Sequence, residues 1–87
     1  MSTPNPAIIQ SMQRASALLQ AGNFFAARSL LEQVVQAAPG FVEAYRLLAG
    51  ALLATGDRSG AERSLRRAVA VDPHWAPAQA ALGELLI

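Results

Sequence analysis

Residues 42–75 read VEAYRLLAGALLATGDRSGAERSLRRAVAVDPHW, and residues 8–41 read IIQSMQRASALLQAGNFFAARSLLEQVVQAAPGF. Laid over one another, the two 34-residue stretches agree at nine positions. Ala15 pairs with Ala49, Ala17 with Ala51, Leu18 with Leu52, Leu19 with Leu53 and Gly22 with Gly56. Ala27 pairs with Ala61, Leu31 with Leu65, Val35 with Val69 and Pro39 with Pro73. Asn23 against Asp57 and Phe41 against Trp75 are conservative matches. A further 34 residues carry Ala44, Leu48 and Leu52 to Ala78, Leu82 and Leu86. A period in this range marks an array of small supersecondary units, each burying its apolar face against the next.

Inside each unit the apolar spacing is helical. Ile8, Met12, Ala15, Leu18 and Leu19 advance in steps of three and four, as do Ala44, Leu48, Ala51 and Leu52. Gly22 ends the first helix, because glycine takes the left-handed conformation at a helix C-terminus without a Cβ penalty. Asn23 follows as a candidate N-cap, and Gly56 with Asp57 repeats the punctuation. Pro39 and Pro73 end the second helix of each unit. No segment alternates with period two. The pattern predicts an all-α chain of five helices at about 6–21, 24–37, 42–55, 58–71 and 75–87. Connections of two to four residues make neighbouring helices antiparallel. Ala15, Ala27, Ala49, Ala61 and Ala68 are the small residues at which the paired helices approach closely.

Composition narrows the function classes. The chain has 87 residues, 53% of them hydrophobic and 15% charged; about 25% charged is usual. That balance excludes disorder, which needs low hydrophobicity and high charge. Without cysteine, disulfides, thiolate nucleophiles and Cys-ligated zinc are excluded. No apolar run approaches the ~20 residues of a membrane span. The segment Met1–Pro6 lacks the basic and apolar regions of a secretion signal. A soluble cytoplasmic chain with no membrane partner is the expectation. Seven Arg, no Lys and nineteen Ala point to the codon usage of a GC-rich bacterial genome.

With these residues in view, the chain resembles the tetratricopeptide-repeat family. The second unit fits best: Tyr45 stands at the first aromatic place, Leu48 and Ala49 at the Leu-Gly place, and Ala61, Leu65, Ala68 and Pro73 complete the pattern. The first unit keeps Ala15, Leu18, Ala27, Leu31 and Pro39 but has Ser11 and Arg14 at the aromatic and leucine places. The partial third unit supplies Ala78, Leu82, Gly83 and Leu86, with Gln79 at the aromatic place. The whole chain, 1–87, is then one domain, with repeats at about 8–41 and 42–75 and a partial repeat at about 76–87.

The resemblance implies a right-handed superhelical array of antiparallel helix hairpins, whose first helices line a concave groove for a protein or peptide. Carried onto this sequence, the groove presents Ile9, Met12, Ser16 and Leu19, then Glu43, Arg46, Gly50 and Leu53, then Ala80 and Glu84. For Met12 and Leu19, packing against a neighbouring helix is the equal alternative. Some members grip a C-terminal carboxylate with cations. Those places here hold Met12, Ser16, Leu47, Pro77 and Ala81, so that mode is not expected.

Sites for chemistry are missing from the pattern. The single His, His74, sits in the turn after Pro73, and with Asp72 it makes no triad geometry. The carboxylates have no metal-ligand spacing, and no Gly-rich loop follows a strand. No cofactor, metal or catalytic residue is expected. Arg58, Arg63, Arg66 and Arg67 cluster on the fourth helix, with Glu62 placed to pair with Arg66 one turn on. They lack the interleaved aromatics of a nucleic-acid surface, so no nucleic-acid partner is expected. Phe41 and Trp75 stand at the junctions between units. Phe24 and Phe25 lie about 100° apart on a helix, so one of them is expected to face solvent.

The last stretch, Ala80–Ile87, is apolar nearly all round, and a repeat array needs a polar terminal face. Two accounts follow: continuation into a longer protein, or packing of Leu82, Leu85, Leu86 and Ile87 against another copy, giving a homo-oligomer. The sequence therefore reads as a non-catalytic interaction module that binds protein or peptide through its groove and associates with itself through the last helix. The alternative is the N-terminal regulatory or oligomerisation domain of a larger bacterial enzyme.

Overall fold

The structure, a computed structural model, describes residues 5–86, without the side chain of Leu86. Its five helices are α1 (Pro6–Gln20), α2 (Phe24–Ala37), α3 (Val42–Ala54), α4 (Arg58–Val71) and α5 (Ala76–Leu86). There is no strand among the described residues. The helix boundaries match the pattern in the sequence to within one residue.

The punctuation works as the chemistry dictates at most joints. Gly22 and Gly56 hold φ of +79° and +89°, where a side chain would be strained. The Asp57 side chain caps α4 by accepting from the Gly60 N–H at 2.8 Å. Asn23 does not do the same for α2: its side chain makes no cap hydrogen bond. The expectation that the two positions act alike is corrected there, and α2 starts from the geometry of Gly22 alone. Asn5 supplies a cap not anticipated from the repeat, accepting from the Ile8 N–H at 3.0 Å ahead of Pro6. A proline in the first turn costs nothing, because its missing N–H has no intrahelical partner there.

Each helix packs on its neighbours in sequence, α1 on α2, α2 on α3, α3 on α4 and α4 on α5. The small residues sit at those contacts. Ala15, Ala27, Ala49, Ala61 and Ala68 are all buried, and Leu31 and Leu65 are the largest side chains fully enclosed between them. One core cluster runs from Met12 through Leu31, Leu48 and Leu65 to Leu85. A smaller one joins Tyr45, Ala68 and Ala78, with Val35 and Trp75 against it. Phe41 packs against the larger cluster, so both junction aromatics fill space between units.

A polar staple recurs with the repeat. The Tyr45 hydroxyl donates to the Pro39 carbonyl at 2.8 Å. Thirty-four residues on, the Gln79 side-chain amide donates to the Pro73 carbonyl. In both units a side chain in the first turn of one helix takes a carbonyl left free after the previous helix ends. The chemistry differs, phenol against amide, but the geometry is shared.

The resulting body measures 35 × 32 × 18 Å, about two helix diameters thick. Because α2 and α4 both flank α3 with no close backbone approach to each other, α3 faces two different surfaces of the slab.

Candidate functional site

On one surface lie the first helices of the units, α1, α3 and α5. Ile9 and Leu53 are exposed, at 39% and 44%. Ser16 and Leu19 are half-buried, and Gly50, Ala80 and Glu84 are exposed. On α3, Arg46 Nη2 donates to Glu43 Oε1 at 2.7 Å, with both side chains more than a third exposed. Such a pair contributes only about 0.2–1 kcal/mol to stability. Its effect is on position: each charge is held by the other. Glu43 also lies in the first turn of α3, where a carboxylate complements the positive end of the helix dipole.

Met12 does not belong to this surface. It is only 8% exposed and packs in the main core. Its long unbranched side chain, on the face shared with Ala15, reaches inward to fill the gap beside that small residue. Of the two readings left open by the sequence, core packing holds for Met12, while Leu19 is half-buried and packs against the same cluster.

The last helix is also less open than its composition suggests. Leu85 is 6% exposed and belongs to the main core, and Leu82 is partly buried against it. The expectation of Leu85 as an exposed contact between copies is therefore corrected: it faces α3 and α4 within the same chain. The Arg58 guanidinium donates to the Leu85 carbonyl, placing a cation at the negative end of α5. Ile87 and the side chain of Leu86 lie outside the described residues.

Both adjacent aromatics are exposed, Phe25 at 72% more than Phe24 at 36%. Glu62 and Arg66 pair at 3.7 Å as their spacing suggested. Arg28 bridges the two second helices, reaching Glu32 at 3.6 Å and Asp57 at 4.0 Å. Neither contact was named from the sequence; the i, i+4 spacing of Arg28 and Glu32 was a signal for the first, whereas the second depends on how α2 and α4 are placed. His74 is exposed in its turn, its N–H donating to Asp72 Oδ1 at 3.2 Å. Among the described residues no three His, Asp or Glu side chains converge, and no helix is long and apolar enough to cross a membrane.

The repeat length, the paired helices and the small residues at their contacts define a helical-repeat protein. A family model described as tetratricopeptide repeat matches residues 18–85, and the chain belongs to the tetratricopeptide-repeat family. No curated protein matches it. Two solved structures of MamA, one the 41-end form from Desulfovibrio magneticus RS-1 and one an RS-1 ArsTM double mutant, are 28% identical to this chain. Each superimposes with a TM-score of 0.84 over 92% of this chain and 45% of its own length. The first TPR of Spaghetti (RPAP3), bound to the HSP90 peptide SRMEEVD, is 22% identical, with a TM-score of 0.83 over 90% of this chain and 62% of that one. At that identity the likeness is one of fold. The chain spans less than half the length of the MamA structures and under two thirds of the RPAP3 one.

Proposed function

We propose that this chain is a non-catalytic interaction module whose concave surface, formed by α1, α3 and α5, holds a segment of a partner protein. The observation that carries this reading is the presence on α1 and α3 of exposed apolar side chains, Ile9 and Leu53, together with the exposed Glu43–Arg46 ion pair on α3. Isolated exposed apolar residues are ordinary. Here they accompany a polar pair on the first helices of the units, the composition of a groove that uses apolar contact for affinity and a few polar groups for orientation. The ligand expected is an extended or helical peptide with an apolar anchor and at least one charged side chain. Capture of a free C-terminal carboxylate is not the expected mode, since the residues at those places include no cation.

Self-association through the last helix rests, with Leu85 in the core, on Leu82 and the two terminal residues. It stands as a secondary part of the proposal, tested by solution mass: Leu82→Glu is expected to leave a monomer where the unaltered chain dimerises.

The groove is tested by selecting peptide ligands from a random library and measuring their affinity for Leu53→Glu and Arg46→Glu. Both sites are solvent-facing, so the fold is expected to survive, as checked by circular dichroism. A tenfold or greater weakening is expected for each. Ligands whose affinity ignores both substitutions would overturn the assignment.

A further inference from the structure

On the opposite side of α3, an open cleft of about 550 Å³ separates α2 from α4. Its floor is Tyr45, Leu48 and Leu52, a stripe of α3 facing away from the concave surface. The size falls in the roughly 300–1,000 Å³ range of ligand clefts. The reason for the opening lies in the repeat. Where α2 carries Ala26 and Leu30, the equivalent places on α4 are Gly60 and Ser64, and both of these smaller residues line the cleft. The second unit is smaller at Ser64 than the first is at Leu30, whereas the space beside Gly60 is taken by the Asp57 carboxylate that caps α4.

Charge in the cleft is unevenly arranged. Arg28 on the α2 wall is committed to Glu32 and Asp57. Arg63 and Arg67, one turn apart on the α4 wall, line the cleft and have no carboxylate within 4.0 Å among the described residues. Like charges at this spacing repel by a few tenths of a kcal/mol; with Glu32, Asp57 and Arg28 also lining the cleft, its lining carries one more positive than negative charge, concentrated on the α4 wall. Between the two lies Ser64, only 7% exposed. Its hydroxyl makes no hydrogen bond among the described residues. A helical hydroxyl commonly bonds to the carbonyl four residues back, as Thr55 does to Ala51 at 3.0 Å; Ser64 does not. No buried side-chain oxygen or nitrogen described is sealed off without a partner, so this one is reached through the cleft.

We infer that the α2–α4 cleft is a second docking surface, for an acidic segment of a partner protein. A Glu or Asp carboxylate of that segment takes the Arg63 and Arg67 guanidinium groups, whose planar forks match carboxylate geometry. It also accepts from the Ser64 hydroxyl, while an apolar neighbour rests against the half-buried Val35 of the α2 wall. The cleft lies on the face turned away from Arg46 and Leu53, so both surfaces can be occupied at once.

The test is an amide chemical-shift titration of the whole chain with the peptide GEELEEG, blocked at both ends, against the peptide GKKLKKG and a six-residue oligo-dT. Saturable shifts at Arg63, Ser64 and Arg67, for the acidic peptide only and weakening as salt is raised from low to high ionic strength, are expected. Arg63→Ala with Arg67→Ala should weaken binding at least tenfold. Ser64→Ala should weaken it two- to fivefold while leaving thermal stability unchanged or higher, which a merely structural role would not do. Absence of saturable shifts, shifts confined to Ile9, Arg46 and Leu53, equal binding of the lysine peptide, or preference for the oligonucleotide would each overturn the assignment.

Discussion

Three glycines separate backbone need from helix propensity. Gly22 and Gly56 have positive φ, and placing a Cβ there costs about 1–2 kcal/mol. Gly50 lies inside α3, exposed, with nothing within 4 Å of where a Cβ would stand. Its replacement by Ala is expected to stabilise by about 0.5–1 kcal/mol. Chemical denaturation of Gly22→Ala, Gly56→Ala and Gly50→Ala should move the midpoints down, down and up. A uniform shift in one direction would contradict the assigned turns. Tyr45→Phe keeps the ring in its core cluster and removes only the bond to the Pro39 carbonyl. Since Pro39 is exposed and water can replace the donor, the loss expected in the same measurement is about 0.5–1 kcal/mol. The buried positions of Ala15, Ala27, Ala49 and Ala61 were readable from the sequence because small residues recur there in phase in both units, whereas Ala68 pairs with Val34. The difference between Asn23 and Asp57 was not, since capping depends on side-chain torsions that spacing does not encode.

Among the elements, α5 was the hardest to read. Its sequence is apolar on nearly every side, so periodicity alone could not choose the face that packs on α4. The structure chooses Ala78 and Leu85, with Arg58 holding the Leu85 carbonyl. Leu85→Ala removes the large side chain that ties α5 to the main core, a loss of about 2–5 kcal/mol where the site cannot collapse. Because α5 packs mainly on α4, that loss falls on local opening. Hydrogen exchange should show amides of α5 losing protection while those of α3 and α4 keep theirs. Equal loss across all three would mean the array unfolds as one cooperative unit. Met12 shows the same limit at a smaller size: a residue in the right phase for the groove was drawn inward by the space beside Ala15.

At the scale of the whole molecule, the 34-residue period was enough to give five antiparallel helices and the order in which they stack, because short connections leave few alternatives. It did not reveal that α3 is shared between two surfaces. That follows from α2 and α4 standing apart, and from Ser64 replacing the bulkier Leu30 of the first unit. The central claim concerns the concave surface. Its most direct test is an amide-shift map of the chain bound to a library-selected peptide. Shifts clustered at Ile9, Ser16, Arg46, Gly50 and Leu53, weakened by Leu53→Glu, are the predicted result. Shifts that spare α1 and α3 and fall on the outer faces of α2 and α4 would contradict it.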